Sequence, residues 1–122
     1  MSYLEDTIDW QTISDFSDWL DKNVSQTYLD QPLAQDWARI SKVSEELGEA
    51  IAEFISWTGQ NPRKPQDDAA FNRMMTELAD TALTAIYAMC HFSKRYQNVT
   101  PRHIIMQRIA QHAERVNLYN RG

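Results

Sequence analysis

The stretch KVSEELGEAIAEF, residues 42–54, puts Glu45, Glu46, Glu49 and Glu53 within nine positions. Like charges three or four residues apart on a helix repel by about 0.2–0.5 kcal/mol per pair. A segment that carries such repulsion is either a solvated face or a place prepared for a cation. A second acidic pair follows in TELAD, where Glu77 and Asp80 stand three apart. Carboxylates gathered in this way offer only oxygen donors, the chemistry of a hard divalent ion such as Mg²⁺ or Mn²⁺.

For these acids to meet, the chain must bring two segments side by side. Helical periodicity dominates the sequence, and no apolar–polar alternation lasts long enough to build a sheet. A first helix is expected over about residues 8–24, with Ile13, Phe16, Trp19, Leu20 and Val24 as its apolar stripe. A second is expected from about Leu33 to Thr58, stopped by TGQNPRKPQDD with Gly59, Pro62 and Pro65. A third covers about 68–97 and a fourth about 101–118, the last opened by Thr100 as N-cap and Pro101 at the first helical position. The expectation is an all-α fold, a single domain over residues 1–122 arranged as an antiparallel four-helix bundle.

On a wheel of 100° per residue with Leu47 at zero, Ile40, Val43, Ala50, Ile51 and Phe54 fall within about 60° and form the expected buried stripe. Lys42, Glu46, Glu49 and Glu53 lie together about 100–160° round on one side. Phe71, Met74, Met75, Leu78, Ala82, Ala85 and Met89 form the matching stripe of the third helix. Glu77 and Asp80 flank that stripe on the same side. In a hairpin centred on residue 63, Glu49 stands level with Glu77 and Glu46 with Asp80. Four carboxylates would then share one wall at one height. The alternative remains a solvated acidic face, with Arg39 or Lys42 pairing with Glu46.

Composition narrows the function classes. The 122 residues are 43% hydrophobic and 24% charged with a net charge of −5, which suits a globular domain and opposes a broad grip on a nucleic-acid polymer. The acidic start MSYLEDTIDW reads as neither a secretory signal nor a membrane span, and Cys90 alone forms no internal disulfide. The expectation is a cytoplasmic domain with a small-molecule or protein partner.

Glu-Glu-x-x-Glu on one helix, followed by Glu-x-x-Asp on the next after a proline-bearing turn, resembles the MazG-like all-α nucleoside triphosphate pyrophosphohydrolases. The pieces here are EELGE at 45–49 and ELAD at 77–80, and the resemblance covers roughly residues 33–116. It implies a helical bundle assembled as a homodimer or homotetramer. It also implies Mg²⁺-dependent cleavage of a nucleotide substrate between its α and β phosphates, giving the monophosphate and pyrophosphate. Carried over by position, Glu46, Glu49, Glu77 and Asp80 would hold the metal, while Glu49 or Glu45 would orient or deprotonate the attacking water. Substrate-binding residues would be Lys42, Trp57 as a base-stacking ring, and Arg108, His112 and Arg115 on the last helix; the alternatives are a packing anchor for Trp57 and a solvated basic edge for the three on the last helix. Arginine and histidine there stand where the family often has lysine and asparagine, a departure that bears on phosphate geometry and substrate choice.

Other readings divide from this one on particular residues. A di-iron bundle needs Glu-x-x-His pairs, but His91, His103 and His112 follow Ala88, Thr100 and Ile109 at that spacing. No Gly-rich phosphate cradle is present. A phosphoribosyl-ATP pyrophosphohydrolase-like activity shares the acid pattern. A non-catalytic helical adaptor, joined through its tryptophans and bearing an acidic face, is the rival from another class.

Overall fold

The computed structural model describes residues 9–23 and 31–117. Among them are four helices: α1 Trp10–Asn23, α2 Pro32–Thr58, α3 Ala70–Arg95 and α4 Pro101–Arg115. The fold is all-helical, as expected, and the boundaries fall within three residues of those read from the sequence. The expected ends at Ile8, Val24 and Leu118 lie outside the described residues. No described helix is long and apolar enough to cross a membrane.

Local chemistry explains the breaks. Pro32 and Pro101 occupy first-turn positions, where a missing N–H costs nothing. Thr100 has the extended backbone (φ −72°, ψ 115°) favoured before proline, but its side chain makes no capping hydrogen bond. Gly59 ends α2 in the left-handed region at φ 71°, donating its N–H to the Ile55 carbonyl. A Cβ at Gly59 would also meet Gln66 Cβ at 3.0 Å. The connection that follows is tied down by Gln66, which donates to the Trp57 carbonyl at 2.7 Å, and by Arg73, which reaches Asp67 at 2.6 Å and Glu53 at 2.5 Å.

α2 and α3 form the main pair, α1 lies on α3, and α4 touches α3 only lightly. Contacts descend one helix as they climb the other: Arg39 meets the Tyr87 carbonyl and Glu53 meets Arg73, both pairs centred on residue 63. The seam on α2 runs Asp36, Arg39, Val43, Glu46, Ala50, Glu53, Trp57. On α3 it runs Ala70, Met74, Glu77, Thr81, Thr84, Ala88, His91. All fourteen residues are buried or half-buried, at alternating spacings of three and four. That period of 3.5 is the pattern of helices packed along their length.

The expected buried stripes are corrected here. Ala50 is buried and Val43 half-buried, but Ile40, Leu47, Ile51 and Phe54 are 42–50% exposed. Phe71, Met75 and Leu78 on α3 are likewise exposed, at 40–51%. The seam is centred on Ala50, about 60° round the wheel from Leu47 and toward the acids. Small residues at Ala50 and Ala70 let the helices close, and the larger apolar side chains are displaced to one open face. Among the described residues the buried apolar ones are Ala50, Ala70, Ala88, Cys90 and Ala113, a sparse core beside so many large side chains.

Candidate metal and ligand site

The rotation of the seam carries the acids inward. Glu46 on α2 and Glu77 on α3 are seam positions, and Asp80 follows Glu77 by one turn. Each of the three offers a carboxylate oxygen, and these oxygens all lie within 4.8 Å of one another. Glu77 Oε2 is buried without a hydrogen-bond partner. A hydrogen bond with Glu49, which requires one of the two to carry a proton, is the first cause holding the Glu77 carboxyl above its ordinary pKa. Burial and the charges of Glu49, Asp80 and Glu46 push the same way. Glu49 therefore adjoins the cluster through Glu77 while standing outside the group of three.

The cluster borders a cavity of about 740 Å³ between α1 and the α2–α3 pair. At its polar end are Lys42, Glu45, Glu46 and Asp80. Its other walls include Phe16 and Leu20 from α1, Trp37 from α2, and Leu83 and Tyr87 from α3. Lys42 bonds Glu45 at 2.9 Å and stands 3.7 Å from Glu46. The hydrogen bond it donates to Glu45 is the main reason the Lys42 ammonium pKa lies above the ordinary value. Arg39 does not pair with Glu46; its guanidinium faces Ser17, Asp21 and the Tyr87 carbonyl.

Other residues singled out by sequence fall elsewhere. Trp57 packs edge-on against Phe71 at 5.1 Å and Phe54 at 6.2 Å, near the turn, and does not line the cavity. Arg108 bonds Gln111 and reaches His112 at 3.3 Å. Both residues, with Arg115, are exposed on α4, outside the cavity. Cys90 is buried, which raises its thiol pKa and removes it from nucleophilic chemistry.

Sequence reasoning missed two features. One is the aromatic wall of Phe16, Trp37 and Tyr87, whose members come from three helices. The other is a buried polar network at the far end of the seam. There His91 lies between Asp21 and Asp36, and Asp36 also receives Tyr96 and Arg95. Asp36, Arg39 and His91 fall on the 3.5-residue seam, and polar residues on such a seam were the available signal.

No family model, curated protein or solved structure matches the chain.

Proposed function

We propose that the protein is a divalent-cation-dependent hydrolase of nucleoside triphosphates, releasing the monophosphate and pyrophosphate. The observation that carries this reading is the set of three carboxylate oxygens within 4.8 Å of one another, two of whose residues, Glu46 and Asp80, line a largely apolar cavity. The donor set fits the ion: all donors are hard oxygens, and buried Glu77 Oε2 lacks a partner that a cation would provide. Glu46, Glu77 and Asp80 would hold Mg²⁺ or Mn²⁺, with Glu49 beside them. Once bound, the ion supplies charge neutralisation to phosphate oxygens and acidifies water.

The chain's own groups then have distinct tasks. Glu49 or Glu45 accepts the proton of the attacking water as its oxygen bonds the α phosphorus and the bridging oxygen departs with pyrophosphate. Lys42, at the cavity's edge beside Glu45 and Glu46, offsets phosphate charge. Phe16, Trp37 and Tyr87 give the nucleoside an aromatic and apolar surround, the role first expected of Trp57. The choice of the α–β bond rests on the resemblance of EELGE and ELAD to the MazG-like enzymes.

The open face of Ile40, Leu47, Ile51, Phe54, Phe71, Met75 and Leu78 supports assembly with a second copy. Two such hairpins placed face to face would complete an antiparallel four-helix bundle and remove those side chains from water. The same exposed face also suits a non-catalytic adaptor, and one assay separates the two. Pyrophosphate release from a panel of nucleoside triphosphates is expected with Mg²⁺, lost with chelator and lost in Glu77→Gln. No release from any triphosphate, together with indifference to Mg²⁺, would sink the hydrolase reading.

A further inference from the structure

α1 forms one wall of the cavity through Phe16 and Leu20, and the residue after each is an attachment point. Ser17 Oγ donates to the Tyr87 carbonyl at 3.0 Å and accepts from Arg39 at 2.8 Å. Asp21 lies 3.4 Å from Arg39 Nε and 2.9 Å from His91 Nδ1. The other ring nitrogen of His91, Nε2, is 2.7 Å from Asp36 Oδ1 on α2. His91 is 3% exposed, so water is kept from its ring nitrogens, while the Asp21 side chain is 29% exposed.

Both neighbours of the ring are carboxylates. Burial alone would raise the Asp36 carboxyl, but hydrogen bonds from Tyr96 and His91 and the charge of Arg95 outweigh it, and its pKa lies below the ordinary value. An ionised carboxylate only accepts hydrogen bonds. A neutral imidazole has one N–H and would turn a lone pair toward one of its two partners, whereas the doubly protonated ring donates to both. The charged and titratable groups facing this point are Asp21 from α1, Asp36 and Arg39 from α2, and Arg95 and Tyr96 at the end of α3.

We propose that His91 is a positioning residue which, with both ring nitrogens protonated, joins α1 to α2 and so fixes the α1 wall of the cavity. The joint itself follows from the contacts above; its bearing on ligand binding rests on the proposed function. Loss of a ring proton removes one arm. The contact with Asp36 at 2.7 Å is shorter than that with Asp21 at 2.9 Å, and Asp21 is the more exposed of the two carboxylates, so the arm to α1 is the weaker one and opens first. α1 is held most firmly at low pH and loosens as pH rises, and the cavity widens with it.

The test is amide hydrogen exchange on the intact chain in Mg²⁺ buffer between pH 6 and 8.5, with α1 compared with α2 after correction for the intrinsic pH dependence of exchange. Opening of α1 is expected to increase about tenfold or more, the worth of one hydrogen bond to a charged group. Ring-nitrogen NMR shifts should show two N–H groups on His91 at pH 6. In Asp21→Asn the introduced amide can donate to a neutral ring, so α1 exchange should become level across the range. A singly protonated ring at pH 6, or an unchanged pH slope in Asp21→Asn, would overturn the proposal. No substrate enters these measurements, so their failure leaves the hydrolase reading standing, and absence of hydrolysis leaves the joint standing.

Discussion

Glu46 on α2 and Asp80 on α3 come together across the helix seam, each bringing a carboxylate oxygen within 4.8 Å of the other and of Glu77. Three like charges this close repel unless a cation or protons intervene. Titration calorimetry at neutral pH should therefore show Mg²⁺ or Mn²⁺ binding. Asp80→Asn and Glu46→Gln should each weaken it by about tenfold or more, the loss of one charged ligand to a hard ion.

Glu77 predicts an opposite effect on the metal-free chain. Its pKa is raised in the fold, so the unfolded state gives up its proton at lower pH than the folded state does. Stability from this group is greatest below the ordinary glutamate range and falls as pH climbs through the window between the ordinary and the raised value. Glu77→Gln should stabilise the chain at neutral pH in chelator while losing the Mg²⁺-dependent rise in melting temperature. Thermal melts with and without Mg²⁺ read both effects; a destabilised metal-free variant would contradict the repulsive cluster.

Ala50, 2% exposed on the seam, sets how closely α2 approaches α3. Ala50→Leu should cost about 1–3 kcal/mol through overpacking, measurable by urea unfolding. The same substitution should weaken divalent-ion binding, because it separates the helices one turn from Glu46.

Trp37 and Trp57 should answer differently. Trp37 is 70% exposed and stands in the cavity wall, so Trp37→Ala should raise KM for a nucleotide by about tenfold with little change in stability or metal affinity. Trp57 is packed between Phe54 and Phe71, and Trp57→Ala should cost about 2 kcal/mol, less than the 3–5 kcal/mol of a fully buried ring. Equal KM values for Trp37→Ala and the native chain would remove that ring from the ligand site.

Leu47 and Ile51 lie in the middle of the open apolar face. Light scattering after size exclusion should show a dimer or tetramer, and Leu47→Glu with Ile51→Glu should yield a monomer. A native chain that is monomeric at high micromolar concentration would refute assembly through this face.

The helices were legible from sequence because each is periodic, with α2 bounded by Pro32 and Gly59 and α4 opened by Pro101. The meeting of Glu46, Glu77 and Asp80 was legible because helix geometry and turn position together fix height along a hairpin. Which face is buried was not. A wheel centred on Leu47 assumes that the largest apolar residues point at the nearest neighbour, whereas this chain turns alanines inward and leaves the large side chains for another surface. The aromatic wall escaped because Phe16, Trp37 and Tyr87 share no local pattern. His91 escaped because a histidine in an apolar helix says nothing of carboxylates arriving from two other helices.

The carboxylates at the middle of the seam occupy ground that leucines would hold in an ordinary helical hairpin. The two helices are thus cemented near the turn, by Ala50, Ala70 and the Trp57 aromatics, and near the far end, by His91 and its acids. Between these points like charges face one another across the packed seam and push against it. Starving the molecule of divalent ions should soften its waist while both ends stay firm, so that one trio of oxygens serves as rivet and workbench together.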